Sequence, residues 1–282
     1  MGVAIHPREA DMSDLRTTLV QCDLRWEDPD ANCRMLEEEL GGLDGSQTDL
    51  IVLPEMFSTG FTMNSREMAE PMEESRAVAW IQRQAIDRGC VVTGSVAVVE
   101  GDHYYNRLIW ARPDGSRVHY DKRHLFRMAG EHERYSMGHE RVIVTLKGFR
   151  ILLSVCYDLR FPVWLRQQPA ANEHFEYDAL LCVANWPAPR RHPWRILLQA
   201  RAIENLCPVI GVNRVGEDAN GMAYAGDSML VDFKGEAVID EPRDQPFIKT
   251  GVLSRSELDA FREKFPAWRD ADHFNVADGV GF

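Results

Sequence analysis

The chain reads Ile-Leu-Leu-Ser-Val-Cys-Tyr-Asp-Leu-Arg-Phe-Pro over residues 151–162. Its first five residues are a short, mostly apolar run that is typical of a buried strand, and the run stops at Cys156, where the chain becomes polar. Cys156 is therefore predicted at the end of a buried strand. Such a position fixes one side of a thiol and leaves the other side open to a reactant, although a single cysteine is more often an ordinary core residue.

Two charged residues also follow predicted strands. Glu55 comes after the apolar run 50–53, and Lys122 comes after the run 117–120. Helical patterns alternate with the strands, and the longest of them predicts a single helix over 67–88. This alternation without a repeat predicts an α/β layered fold with helices packed over the sheet faces. Ligands collect at strand ends in open sheets of this class, which makes these two residues and Cys156 candidates for one site.

Length and charge restrict the partners of the chain. It has 282 residues, 45% of them hydrophobic, and a formal net charge of −12. Its basic residues are scattered, so neither nucleic acid nor an anionic membrane is expected as a partner. No apolar run approaches the roughly 20 residues that cross a bilayer, and the first residues carry no signal-peptide pattern. We therefore expect a cytoplasmic protein.

The cysteines and the first residues add two expectations. The six cysteines are widely spaced, with no Cys-x-x-Cys pair, and we interpret them as free thiols in a reducing compartment. Residues 1–11 have no periodicity and are expected to be a disordered leader. No linker is visible after them, so one domain is expected over residues 12–282.

The predicted trio has a chemical logic. A thiol is mostly protonated near neutral pH, so a nucleophilic Cys156 needs a base such as Glu55 or a cation such as Lys122 beside it. An ammonium also stabilises the oxyanion that forms when a carbonyl is attacked. Either charged residue alone is more often a solvated loop end or half of a surface ion pair. Their common position at strand ends favours the functional interpretation.

Other chemistries lack their sequence motifs. The sequence contains no His-Glu-x-x-His, Gly-x-Gly-x-x-Gly or Gly-x-x-x-x-Gly-Lys-Ser/Thr segment, and no Gly-x-Ser-x-Gly segment. We therefore expect neither a metal nor an organic cofactor.

Three segments resemble the signature segments of the nitrilase superfamily, also called carbon–nitrogen hydrolases. They are Leu-Pro-Glu-Met-Phe at 53–57, Asp-Lys-Arg-His-Leu-Phe at 121–126 and Cys-Tyr-Asp-Leu-Arg-Phe-Pro at 156–162. The order and spacing also match, and the similarity extends over residues 15–274. The resemblance implies a single-domain, four-layer α-β-β-α sandwich that forms a homodimer.

The resemblance also implies residue roles. Glu55 is the general base and acid, Lys122 the partner of the oxyanion, and Cys156 the nucleophile that carries a thioester intermediate. The fourth catalytic residue of the superfamily is a glutamate between the lysine and cysteine segments. Glu131 is the candidate that we favour, and Glu133 in the same polar stretch is its competitor.

The residues after the nucleophile resemble one branch of the superfamily. Nitrilases usually carry Trp-Glu where this chain has Tyr157-Asp158, and carbamoylases tend toward Gln-Trp where it has Leu159-Arg160. The segment is instead similar to the ω-amidase branch, which implies 2-oxoglutaramate and 2-oxosuccinamate as substrates. The alternatives are an amidase or carbamoylase acting on another small amide, and a silent binding protein in which Cys156 is merely buried.

Such substrates carry a carboxylate remote from the amide, and arginine binds a carboxylate through two hydrogen bonds. Arg190 and Arg191 are the candidates, with a solvated loop pair as the alternative interpretation. Arg160 is expected to brace the turn after Cys156 through a nearby acid. The other residues expected at the substrate are Phe57, Tyr157, Asn185 and Trp186.

Overall fold

The computed structural model of the chain describes residues 14–167 and 175–272. The predicted leader, residues 1–11, lies outside these ranges. The described residues form two large β-sheets, a two-stranded ribbon and six α-helices.

The first sheet contains three parallel strands at its centre. Its strands are β1 (Leu15–Gln21), β2 (Leu50–Val52), β3 (Glu70–Pro71), β4 (Val91–Glu100), β5 (His103–Ala111), β6 (Arg117–Asp121) and β15 (Phe247–Leu253). The order is β15-β1-β2-β4-β5-β6, with the short β3 also paired to β4. The strands β1, β2 and β4 run parallel, and the outer strands are antiparallel to their neighbours. The carboxyl ends of the parallel strands therefore meet at one edge of the sheet.

The second sheet repeats this plan. Its strands are β7 (Ile143–Leu146), β8 (Phe149–Val155), β9 (Ala179–Val183), β10 (Val209–Val212), β13 (Met229–Val231) and β14 (Ala237–Asp240). The order is β14-β13-β10-β9-β8-β7, with β8, β9 and β10 parallel. A ribbon of β11 (Val215–Glu217) and β12 (Ala223–Ala225) follows β10.

The structure describes six α-helices. They are α1 (Pro29–Leu40), α2 (Ser65–Met68), α3 (Arg76–Arg88), α4 (Pro162–Leu165), α5 (Arg191–Asn205) and α6 (Arg255–Lys264). The single helix predicted over 67–88 is wrong. Pro71 lies in β3 beside the next sheet strand, and Ser75 caps a new helix by accepting a hydrogen bond from the Val78 N–H at 3.3 Å.

The layers pack in the order helix, sheet, sheet, helix. On one side α1 and α3 pack over the first sheet, and on the other α5 packs over β10 and β13. Between the sheets the apolar side chains of both inner faces form one core that includes Leu19, Leu50, Leu153 and Ile210. The strands β8 and β9 are buried almost throughout, as expected for parallel strands covered on both faces. The predicted α/β fold and the α-β-β-α sandwich are confirmed.

Two further observations concern the surface and the thiols. None of the helices within residues 14–167 and 175–272 has the length and apolar character needed to cross a membrane. All six cysteines are free thiols.

Candidate active site

Cys156 lies directly after β8, in a strained backbone conformation. Its φ angle is 47°, which L-residues rarely adopt, and it begins the 3₁₀ helix Cys156–Arg160. The side chain is almost buried, with 8% of the residue exposed, and that exposed part opens onto a cavity of about 560 Å³. The sharp turn therefore directs a thiol from the end of a buried strand into a cavity, as the sequence predicts.

Glu55 reaches the same region from the end of β2. The chain turns tightly at Met56, whose φ is 43°, and the turn packs so closely on β4 that a Cβ on Gly94 would lie 2.9 Å from the Leu53 Cβ. The Glu55 carboxylate is fully buried and accepts a hydrogen bond from the Asn185 N–H at 2.7 Å. Asn185 follows β9 and also donates through its amide Nδ2 to the Glu55 carbonyl. Glu55 is thus held by residues of both sheets.

Lys122 joins two buried carboxylates. Its Nζ lies 2.9 Å from Glu55 Oε1 and 2.9 Å from each oxygen of Glu131, and all three side chains are fully buried. Glu131 Oε2 also accepts the Phe126 N–H at 2.5 Å. The competing candidate Glu133 is 68% exposed and lies beside His132. Of the two glutamates that the sequence offers, the structure brings Glu131 to the lysine.

Asn106 belongs to this cluster and was missed by the sequence analysis. It lies on β5, where its Nδ2 donates to Glu55 Oε1 at 2.7 Å and to Glu131 Oε1 at 3.3 Å. Its Oδ1 accepts from Ser95 Oγ at 2.8 Å, which fixes the orientation of the amide. The available signal was a polar residue inside an apolar strand, but only the register of β5 shows what it contacts.

Burial and charge set the protonation of the site. Burial raises the pKa of the Cys156 thiol well above its ordinary value, and the Glu55 carboxylate raises it further, against the opposing effect of Lys122. Burial alone would lower the pKa of Lys122, but Glu131 and Glu55 outweigh it and raise that pKa. Burial also raises the pKa of Glu131. The resting state is therefore a neutral thiol beside an ammonium, so the thiol needs a base at the moment of attack.

Asp158 ties the lysine segment to the cysteine turn. Its carboxylate is fully buried and accepts four hydrogen bonds of 2.8–2.9 Å. Two come from the N–H and Nδ1 of His124, one from the Tyr120 hydroxyl and one from the Val155 N–H. Tyr120 and His124, which lie two residues before and after Lys122, and Val155, directly before Cys156, are thus all bonded to Asp158.

Several predicted substrate residues line the cavity. Tyr157, Asn185, Trp186 and Arg190 all lie on its wall together with Cys156. Much of the rest of the wall is aromatic or thioether, including Trp26, Phe61, Phe126, Met222 and Tyr224. In residues 14–167 and 175–272, no group of three or more His, Cys, Asp or Glu side chains is arranged to hold a metal ion. The cavity is an apolar pocket with a few directed polar groups, as small-molecule sites usually are.

Two of the candidate substrate residues, Phe57 and Arg191, lie away from the cavity. Phe57 is fully buried and packs on Trp80 of α3, because the turn at Met56 sends it to the helix layer. Arg191 starts α5 and forms two hydrogen bonds, of 2.6 and 2.9 Å, to Asp227. Neither residue lines the cavity.

Arg160 is placed differently from the expected brace, since no carboxylate within residues 14–167 and 175–272 forms an ion pair with it. Its guanidinium lies 4.7 Å from the centre of the Trp186 ring, and the residue lines the cavity. The turn is braced instead by Asp158 and by Arg201, whose Nη2 donates to the Leu159 carbonyl at 2.7 Å.

Comparison with known proteins places the chain in a family. The model of the family described as carbon-nitrogen hydrolase matches residues 16–263, which is most of the chain. The chain belongs to the carbon–nitrogen hydrolase family. The predicted resemblance to the nitrilase superfamily is thereby confirmed, and the relatives named below confirm its ω-amidase branch.

Relatives of this carbon–nitrogen hydrolase match over nearly their whole lengths. The omega-amidase YafV of Yersinia enterocolitica is 47% identical over 93% of this chain and 99% of the relative. The 2-oxoglutaramate amidase of Bacillus subtilis is 32% identical over 89% of this chain and 95% of the relative. Among solved structures, XC1258 of Xanthomonas campestris is described as a CN-hydrolase superfamily protein with an arsenic adduct in its active site. It is 46% identical, with a TM-score of 0.91 over 94% of this chain and 100% of that one.

Proposed function

We propose that this carbon–nitrogen hydrolase is an ω-amidase, which hydrolyses the terminal amide of 2-oxoglutaramate or 2-oxosuccinamate to the 2-oxo dicarboxylic acid and ammonia. The observation that carries the proposal is the full-length similarity to relatives named omega-amidase and 2-oxoglutaramate amidase. The site supports it, because the Cys156 thiol and two arginine side chains line one cavity, and the buried Glu55 carboxylate that raises the pKa of this thiol is bonded to Lys122.

In the proposed first half-reaction, Cys156 Sγ attacks the amide carbon while Glu55 accepts the thiol proton. Because burial and the Glu55 carboxylate raise the pKa of the Cys156 thiol, the thiol needs this base as the bond to carbon forms. The developing oxyanion is stabilised by Lys122 and by the Tyr157 N–H. Glu55 then passes its proton to the departing ammonia, and a thioester remains on Cys156.

In the second half-reaction, Glu55 accepts a proton from water, and the resulting hydroxide attacks the thioester carbon. The C–S bond breaks, the thiol regains its proton from Glu55, and the acid is released. Glu131 acts through Lys122. Its two contacts of 2.9 Å hold the ammonium in place while the other carboxylate gains and loses a proton.

The carboxylate remote from the amide needs a fixed positive group. Arg190 fits this role because it lines the cavity, with its guanidinium 5.2 Å from the centre of the Phe126 ring. Arg191 does not fit, since its guanidinium already donates two hydrogen bonds to Asp227. Of the two arginines predicted from the sequence, Arg190 is therefore the one that we assign to the substrate carboxylate.

Ammonia release tests the substrate class. The purified enzyme is supplied with 2-oxoglutaramate, glutamine, a simple nitrile and an N-carbamoyl amine. We expect kcat/KM for 2-oxoglutaramate to exceed the other values by at least about 100-fold, since buried polar groups left without partners reject the wrong substrate by such factors. A clear preference for any other compound would show that the subfamily assignment is wrong.

We also propose that two copies form a homodimer through the outer faces of α4 and α5. Val163, Ile196 and Ile203 lie there with 56%, 49% and 54% of each residue exposed. Ile196 and Ile203 are two helical turns apart and share one face. A second copy would cover this apolar surface, in line with the dimer that the superfamily resemblance implies. The reducing cytoplasm is the proposed compartment, consistent with six free thiols.

Sedimentation velocity tests the dimer. The wild-type chain is expected to sediment as a dimer and Ile203→Glu as a monomer, because a charge in an apolar interface is left without a partner. Ile86→Glu is the matched control, since Ile86 is 49% exposed on α3 in the opposite helix layer. A monomeric wild type, or equal effects of the two variants, contradicts the proposal.

A further inference from the structure

We infer that Arg160 and Arg190 together form a clamp for the 2-oxo acid end of the substrate, with Arg160 selecting for the 2-oxo group. The inference rests on the proposed function and goes beyond it. It names a second arginine and the chemical feature that this arginine recognises.

Both arginines line the cavity, and neither has an acidic partner in the part of the chain that the structure describes. Each lines the same wall as Cys156. Among residues 14–167 and 175–272, no carboxylate forms an ion pair with either guanidinium. The neighbouring arginines differ, since Arg191 and Arg195 are both paired with Asp227. Two free guanidinium groups beside one reactive thiol are suited to an anionic ligand.

Aromatic rings hold the two guanidinium groups in place. Arg160 lies over the ring of Trp186 at 4.7 Å, and Arg190 over the ring of Phe126 at 5.2 Å. Trp186 Nε1 donates to the Arg190 carbonyl at 2.7 Å. The ring that packs on Arg160 is therefore bonded to the backbone of Arg190. An aromatic neighbour over the face of a guanidinium leaves the N–H groups at its edge available to a ligand.

The acids in the cavity wall are already engaged. Asp218 accepts hydrogen bonds from the N–H groups of Asn220 and Met222 and from the Tyr224 hydroxyl, at 2.9–3.0 Å. Glu27 accepts one from the Thr62 hydroxyl. Neither acid forms an ion pair with the two arginines within the described part of the chain. The positive charge therefore remains available to the ligand.

A 2-oxo acid is complementary to two planar guanidinium groups, each of which offers several N–H donors in one plane. Its carboxylate and adjacent carbonyl present three oxygens close to one plane, more than one guanidinium edge can bind. The monoamide of a plain dicarboxylic acid, such as glutaramate, has a carboxylate but lacks the third, 2-oxo oxygen, and one arginine is sufficient for it. The pair of arginines thus favours amides whose far end is a 2-oxo acid over amides that end in a plain carboxylate or a methyl group.

The test compares three amides of equal chain length: 2-oxoglutaramate, glutaramate and pentanamide. Arg160→Gln is expected to lower kcat/KM for 2-oxoglutaramate roughly 10- to 100-fold, mainly through KM, because a charged hydrogen-bonding partner is lost. The loss should be smaller for glutaramate, and pentanamide should change less than about threefold. Arg190→Gln should impair both anionic amides. Arg191→Gln is the control and should leave the ratios among the three amides unchanged.

The outcomes separate the clamp from the proposed function. An equal loss on all three amides in Arg160→Gln, or no loss on any, overturns the clamp. If that variant does not fold, Arg160→Lys keeps the charge without the fork, and it too must lose at least about tenfold on 2-oxoglutaramate alone for the clamp to stand. A wild-type enzyme that does not prefer 2-oxoglutaramate refutes the ω-amidase assignment, whatever the variants do.

Discussion

Cys156→Ala is expected to lower amide turnover by roughly 10⁴-fold or more, because no other group in the site can form the covalent intermediate. The fold should be unaffected. Alanine keeps the Cβ at the strained backbone position and removes only an almost buried sulfur. Ammonia release from 2-oxoglutaramate measures the loss, and circular dichroism together with Tm checks the fold.

Cys33→Ala is the matched control, since Cys33 is a half-buried thiol on α1 outside the cavity. It should retain wild-type turnover. An acid-quenched sample of the wild type should carry the acyl group on the peptide that contains Cys156, as mass spectrometry can detect, and the alanine variant should carry none. Turnover in Cys156→Ala above about 1% of wild type would contradict the thioester mechanism.

Lys122→Met should impair activity and stability together. Loss of the oxyanion donor is expected to cost about 10²- to 10³-fold in kcat. The same change leaves Glu55 and Glu131 buried side by side without their cation, which is expected to lower the free energy of unfolding by about 3–5 kcal/mol. Urea unfolding at neutral pH measures the second effect.

A double variant separates the two roles of the lysine. In Lys122→Met/Glu131→Gln one of the two uncompensated charges is removed, together with the repulsion between them, so at least about half of the lost stability should return while kcat stays low. Glu131→Gln alone completes the double-mutant cycle with the wild type, Lys122→Met and the double variant. A Lys122→Met protein as stable as the wild type would contradict the charge compensation by Lys122. One as active as the wild type would contradict its role at the oxyanion.

The meeting of Glu55, Lys122 and Cys156 could be predicted from the sequence, because each residue follows a short apolar strand. The carboxyl ends of neighbouring parallel strands converge, so position along the chain alone brings such residues together. The choice between Glu131 and Glu133 could not be made this way. Both lie in one polar stretch, and the structure shows that a single 3₁₀ turn buries the first and exposes the second.

Side-chain direction was the part that sequence could not supply. Arg190 and Arg191 are adjacent, yet the start of α5 sends one to the cavity and the other to Asp227. The positive φ of Met56 likewise turns Phe57 away from the substrate side. Asn106 was overlooked because its partners come from β2 and from the polar stretch after β6, which only the sheet register brings to it.

The reactive groups are contributed by both halves of the sandwich. Glu55, Lys122 and Asn106 belong to one sheet, and Cys156 and Asn185 to the other, with the Asn185–Glu55 hydrogen bonds bridging them. Catalytic activity therefore depends on the relative position of the two sheets, each of which has its own strand-to-strand hydrogen bonds. The two layers could slide by about an ångström while every strand and helix persists. Circular dichroism would then still report the normal secondary structure, but the enzyme would be inactive.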